Sequence, residues 1–139
     1  MQKEDNLPMT RFDPDTGKTL TRDVRRVTFT YKGKSIEVDM PGWYPSDSNE
    51  GVHTRADCKV SDRALNRLKA EVDNLLLPEQ IQSVRKSLNL TQEQAGLLLG
   101  GGPNAFQKYE SGDILPSKAI SNLLRVLERE PSMLAVLSA

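Results

Sequence analysis

Residues 90–112 read Leu-Thr-Gln-Glu-Gln-Ala-Gly-Leu-Leu-Leu-Gly-Gly-Gly-Pro-Asn-Ala-Phe-Gln-Lys-Tyr-Glu-Ser-Gly, and this stretch decides the fold. Thr91-Gln92-Glu93-Gln94 has the form of a capping box, in which a threonine and a glutamine three residues on satisfy each other's backbone amides at a helix start. Ala95, Leu98 and Leu99 then supply an apolar face. Gly100, Gly101 and Gly102 end the helix, because glycine tolerates the positive φ that a helix stop requires. Pro103 suits a first helical turn and opens another helix, which closes at Ser111-Gly112. Two short helices joined by a glycine turn make a helix-turn-helix.

Within the second of these helices Phe106 and Tyr109 stand three apart and point inward. Asn104, Gln107 and Lys108 are left on the outer face. Asn104 and Lys108 lie one turn apart near the leading end, the part of such a helix that enters the major groove. Asparagine pairs bidentately with adenine and lysine donates to guanine O6 and N7, so these two are the predicted base readers. Thr91 and Gln92, at a helix N-terminus, are predicted phosphate anchors, with Gln107, Lys86 and Lys118 as further backbone contacts. A solvated helix with an asparagine near its cap and no DNA nearby is the plainer alternative. The completeness of the spacing weighs against it.

Further helices flank the motif. One runs from Pro78 to about Leu88, apolar at Ile81, Val84 and Leu88; another starts near Pro116 or Ser117 and carries Ile120, Leu123, Leu124 and Leu127; a short last one begins at Pro131. Residues 77–139 therefore read as an all-α, five-helix domain. Leu124, Leu127, Met133, Leu134 and Leu137 exceed what so small a domain needs, and a palindrome reader needs a two-fold interface. They are the predicted dimer surface, with core filling as the alternative for some. Upstream, Leu65, Leu68, Val72, Leu75 and Leu76 predict a connecting helix over 61–76 with Ser61 as N-cap.

The N-terminal part, residues 1–76 with that connecting helix, carries β structure, so the chain is α+β. Val27-Thr28-Phe29-Thr30-Tyr31, a Lys32-Gly33 turn, and Lys34-Ser35-Ile36-Glu37-Val38 form a hairpin. Its register pairs Tyr31 with Lys34, Phe29 with Ile36 and Val27 with Val38. Residues 41–59 hold prolines, glycines and small polar residues and read as a long loop. Phe12, Val27, Phe29, Val38, Trp43 and Tyr44 are the expected core.

Composition narrows the function. The chain has 139 residues, with 19 basic and 19 acidic side chains, one histidine and one cysteine. Nothing suggests a membrane span or a secretory signal, and the chain reads as cytoplasmic. A nucleic-acid binder is commonly basic overall; with zero net charge, any grip on DNA must come from local arrangement. The single cysteine, Cys58, cannot form an internal disulfide. His53 and Cys58 lie in a loop without an orienting third group, so a catalytic pair is a poor reading and no enzyme is expected. Asp13, Asp15 and Asp23 read as turn formers rather than as a cation site. Residues 18–34 carry a net charge of +5 and residues 35–62 a net −4. Two readings stand: cross-strand ion pairs, or a polarised surface that steers a charged partner.

The strings Leu90-Thr-Gln, Gly100-Gly-Gly-Pro-Asn-Ala-Phe106, Lys108-Tyr-Glu-Ser-Gly112 and Leu123-Leu-Arg-Val-Leu127 resemble the MqsA family of antitoxins, within the Xre, or phage-repressor-like, group. Upstream, Arg22-Asp-Val24, Thr28-Phe-Thr-Tyr-Lys-Gly33 and Pro41-Gly-Trp-Tyr44 resemble that family's N-terminal domain. The resemblance implies a C-terminal domain that dimerises on a palindromic operator and an N-terminal domain that binds a toxin, an RNA-cleaving enzyme in the best-known pairing. It makes Asn104 a base reader and places Lys108 where arginine is frequent, with less strict guanine readout expected of lysine. Many relatives hold zinc between two Cys-x-x-Cys pairs. The corresponding stretches here, Thr10–Asp15 and Tyr44–Ser48, contain no cysteine, so no metal or other cofactor is expected. A stand-alone Xre-type repressor with a sensing N-terminal domain is the alternative function.

Overall fold

A computed structural model describes residues 7–138. Three antiparallel strands come first, in the order β1 (Thr10–Asp13), β2 (Lys18–Tyr31) and β3 (Lys34–Tyr44). Six helices follow: α1 (Arg55–Val72), α2 (Pro78–Ser87), α3 (Gln92–Leu99), α4 (Ala105–Ser111), α5 (Lys118–Arg129) and, after a 3-10 turn at Pro131–Met133, α6 (Leu134–Leu137). The architecture is α+β, as expected. The described residues divide into two compact units, with the boundary inside α1 between Ala64 and Leu65.

In the N-terminal unit, Asp13 closes the β1–β2 turn. Its carboxylate accepts from the Asp15 amide at 3.1 Å and the Thr16 hydroxyl at 2.9 Å. The β2–β3 hairpin turns through Lys32 and Gly33, both at positive φ, and its register pairs Tyr31 with Lys34, Phe29 with Ile36 and Val27 with Val38. In this register the apolar alternation of both strands shares a face, and the two-residue turn selects it over registers shifted by two.

Two departures from the sequence reading occur beyond the hairpin. Residues 41–44 continue β3 rather than open a loop, and Trp43 exchanges two backbone hydrogen bonds with Val52, each 2.9 Å. The aromatic pair Trp43-Tyr44 favours extended, buried backbone strongly enough to override Pro41 and Gly42. Helix α1 also starts at Arg55 instead of Ser61. The Asp57 amide donates to Thr54 Oγ1 at 3.0 Å and the Thr54 amide to Asp57 Oδ2 at 2.9 Å, a reciprocal cap whose spacing the sequence carries as Thr54-Arg-Ala-Asp57. Ser61 instead donates its hydroxyl to the Cys58 carbonyl.

The core of this unit is Leu20, Val38, Met40, Trp43 and Tyr44. Val27 and Phe29 are half-buried. Phe12, expected inside, is 62% exposed on the short strand β1. Polar groups complete the packing. Arg11 and Arg22 place guanidiniums 5.2 and 4.7 Å from the Trp43 ring centre, and Arg25 lies 4.8 Å from that of Tyr44. Arg22 also grips Asp57, only 1% exposed, through two bonds of 2.9 and 3.0 Å.

The opposite charge blocks do not form two separate surfaces. Lys18 pairs with Asp47 at 2.8 Å, Arg26 with Asp39 at 3.2 Å and Glu37 at 3.4 Å, and Arg22 with Asp57. Antiparallel pairing lays Glu37 and Asp39 of β3 beside Arg26, while the segment after β3 and the start of α1 supply Asp47 and Asp57, so local neutralisation prevails over polarisation.

The helical unit packs Leu76, Ile81, Val84, Leu88, Ala95, Leu99, Phe106, Leu124 and Leu127 into one core. Leu75 and Leu76 lie past the end of α1, after Asn74 at φ +56°.

Burial pushes the Asp57 carboxyl up, but the Arg22 guanidinium and the Thr54 amide outweigh it and hold its pKa below the ordinary 3.8. The stability it contributes is complete above that ordinary value and is lost as pH falls through the lower folded value. Asp57→Asn is expected to cost about 3 kcal/mol, because it leaves a largely buried arginine without its counter-charge. Urea unfolding of the wild type and the variant at neutral pH and near pH 3 checks both points: the difference between them should narrow in acid.

Candidate nucleic-acid interface

The helix-turn-helix is assembled from its caps inward. Thr91 Oγ1 accepts from the Gln94 amide at 3.1 Å, and Gln94 Oε1 accepts from the Thr91 amide at 2.9 Å, completing the capping box of α3. At the other end, Gly100, Gly101 and Gly102 all take positive φ, and Gly96 packs against the turn they form. A Cβ on Gly96 would stand 1.8 Å from the Gly102 carbonyl oxygen, so only glycine allows α3 and the turn to approach this closely.

Helix α4 is seven residues long. Phe106 is fully buried and stacks edge-on with half-buried Tyr109 at 5.4 Å, which fixes the helix's inward face. Asn104, Gln107 and Lys108 are exposed on the remaining face. Asn104 occupies the N-cap position without using its side chain as a cap, which leaves the amide for an outside partner.

A buried ion pair holds this helix against the first two. Arg85, in the last turn of α2, donates from Nε and Nη2 to Glu110 of α4 at 2.7 and 2.8 Å. Its Nη1 reaches the Leu90 carbonyl at 2.9 Å. The Glu110 carboxylate is the main cause of an Arg85 pKa raised above its ordinary value. Gln92, predicted as a phosphate anchor, directs its side-chain amide to Glu110 Oε1 at 3.2 Å. That bond uses one of the two side-chain amide hydrogens; the other, with the backbone N–H at the first turn of α3, is left for a phosphate contact. The sequence reading passed over Arg85 as a functional residue; its partner Glu110 stands in the Lys108–Gly112 string quoted above, without a local cue to what it binds.

The remaining predicted residues fall in different places. Lys86 is exposed at the end of α2. Lys118, at the start of α5, donates to the Asn74 carbonyl at 3.3 Å. Of the predicted dimer residues, Leu124 and Leu127 are 0% and 1% exposed and belong to the chain's own core, where four helices need them. Leu134 and Leu137 are half-buried against that core, and Met133 is 47% exposed. Two valines that the sequence reading passed over, Val126 and Val136, are 53% and 66% exposed. Val126 borders an open hollow with Arg125, Glu128, Arg129 and Glu130.

The antitoxin component of bacterial toxin–antitoxin systems, MqsA, is the family whose pattern matches residues 15–138. The chain belongs to the MqsA antitoxin family. It is 32% identical over 113 residues to the antitoxin MqsA of Escherichia coli (strain K12), covering 80% of this chain and 86% of that protein. It is also 33% identical over 51 residues to the vegetative-specific protein H7 of Dictyostelium discoideum, covering 37% of this chain and 49% of that protein. The family and the fold together make the chain an antitoxin with a DNA-binding helix-turn-helix unit.

The zinc of many MqsA relatives does not fit this chain. Where their cysteines stand, the donors are Asp13, Asp15 and Asp47, and two of these carboxylates are engaged, Asp13 in its turn and Asp47 with Lys18. Zinc sites favour thiolate and imidazole, and neither occurs in these stretches. Among the described residues no cluster of three or more histidine, cysteine, aspartate or glutamate side chains is placed to hold a metal.

Metal analysis of the purified protein should give well below one zinc per chain, and a stoichiometric value would overturn this assignment. Glu110→Gln should lower stability by about 3 kcal/mol, since it strands the buried Arg85 charge. Thermal unfolding followed by circular dichroism measures it, and a midpoint equal to wild type would contradict the pair's role.

Proposed function

We propose that the chain neutralises a cognate toxin through its N-terminal unit and, as a dimer, binds a palindromic operator to repress its own operon. The observation that carries the DNA half is the outward trio Asn104, Gln107 and Lys108 on a helix whose opposite face is locked by Phe106 and the Arg85–Glu110 pair. A base-reading helix needs such support, because a misplaced side chain loses bidentate hydrogen bonds. Asn104 reads adenine and Lys108 reads guanine. The α3 N-terminus with Thr91 and Gln92, together with Gln107, Lys86 and Lys118, meets phosphate and sugar. Zero net charge agrees with a grip made by a few placed groups in each half of a dimer rather than by bulk attraction.

Dimerisation uses the surface that includes Val126, Met133 and Val136, with the outer edges of Leu134 and Leu137. A symmetric pair would cover these apolar side chains and set the half-site spacing. The toxin, an RNA-cleaving enzyme by the family resemblance, binds the three-stranded unit. The support is the hairpin itself: Val27, Phe29, Tyr31 and Ile36 are only half-buried on a two-stranded ribbon. Such a ribbon suits strand addition or an apolar contact. The chain acts as a binder and not as a catalyst, and it works in the cytoplasm.

Asn104→Ala and Lys108→Ala should each weaken binding to the promoter DNA of the chain's own operon by about 10- to 100-fold, the worth of a bidentate base contact, with the fold intact. Gel shift beside circular dichroism checks this, and two variants that bind like wild type would sink the recognition-helix assignment. Co-expression with the protein encoded by the neighbouring reading frame should yield a complex that co-purifies. Separate elution of the two would favour a stand-alone repressor.

A further inference from the structure

Asn66 lies on α1, outside the helix-turn-helix, and is half-buried. Its Nδ2 donates to the Gly112 carbonyl at 2.9 Å and to the Asp113 carbonyl at 3.2 Å. These are the first two carbonyls after α4. Gly112 is buried and takes the left-handed conformation that ends the helix. Helix ends leave carbonyls without intrahelical partners, and a side-chain amide that fills this need fixes where the chain departs. In a helix of seven residues, the direction of the exit and that of the helix are nearly the same quantity. A tilt at Gly112 therefore moves Asn104 and Lys108.

The support for Asn66 is itself held. Arg67 donates to Glu79 of α2 at 2.6 and 3.0 Å. Just past α1, the Asn74 carbonyl accepts from Lys118 and Arg125 of α5 at 3.3 and 2.7 Å, and the Leu76 amide donates to the buried Ser121 hydroxyl at 3.2 Å. The second half of α1 is thus bonded to α2 and to the end of α4, and the segment just after it to α5.

We propose that Asn66 is a positioning residue for DNA reading, setting the angle at which α4 presents Asn104 and Lys108 to base edges. The proposal rests on the operator-binding reading above. It also makes the last half of α1 part of the DNA-reading unit rather than a linker.

The test uses the full chain with two duplexes, the promoter DNA of its own operon and a scrambled version of the same composition. Asn66→Ala should weaken promoter binding roughly tenfold, because the loss of both hydrogen bonds to the end of α4 is transmitted only in part to the base contacts. Binding to the scrambled duplex should stay near wild type, while the thermal midpoint falls by only a few degrees, so that the variant is fully folded at the temperature of the binding assay. Asn66→Asp, equal in size but without the donating NH2, should lose at least as much. In an Asn104→Ala background, Asn66→Ala should add less than about twofold, because both changes act through the same base contact. Equal losses on both duplexes, or full additivity, would overturn the proposal. Hydrogen exchange provides a check without DNA: amides from 104 to 114 should exchange faster in Asn66→Ala, and unchanged exchange would also overturn it. If the wild type does not distinguish the two duplexes, the operator reading fails, and exchange alone decides whether Asn66 holds α4.

Discussion

The buried Arg85–Glu110 pair is the constraint on which the DNA-reading unit depends. Its side chains are 10% and 4% exposed, and its bonds span α2, the corner before α3, and α4. A charge this deep is tolerable only with its counter-charge and further hydrogen bonds in place, and here the Leu90 carbonyl and the Gln92 amide supply them. The pair does more than hold elements together. An apolar substitute would fill the volume, but it would not fix which face of α4 points outward. Phe106 fills the core beneath α4, and Glu110 sets the helix's rotation about that anchor. The outward placement of Asn104 and Lys108 follows from the two together.

The N-terminal unit solves a similar problem with different materials. A three-stranded sheet with a short edge strand has little core of its own. Arg22 occupies a central position, at once over the Trp43 indole and bonded to Asp57. Asp57 in turn caps the start of α1. One arginine thereby connects an aromatic core residue to a helix start. Opposite charges cancel locally here: Lys18, Arg22 and Arg26 of β2 pair with Asp47, with Asp57 and with Glu37 and Asp39.

Much of this was legible in the sequence, and the reasons are local. The capping box at Thr91, the triple glycine turn, and the period of Phe106 and Tyr109 all act within a few residues, so spacing alone reveals them. The hairpin register follows from alternation in the same way. The parts that could not be read depend on distant partners. Asn66 lies 46 residues from Gly112, and nothing in its neighbourhood signals a role. Leu124 and Leu127 show the helical period of a core face and of a dimer face equally well, and only packing tells them apart. The start of α1 was a misreading of available signal: Thr54 and Asp57 have capping-box spacing, but the polar segment around them reads as loop.

In the function proposed above, α4 reads bases from the major groove, once in each half of a symmetric dimer. Chemical interference mapping on the promoter DNA tests it most directly, because methylation of guanine N7 blocks the major-groove edge alone. Binding should be lost at guanines in two inverted half-sites whose centres lie about one helical turn, or a multiple of it, apart. Interference spread evenly along the fragment, or confined to the minor-groove edge of adenines, would contradict the account.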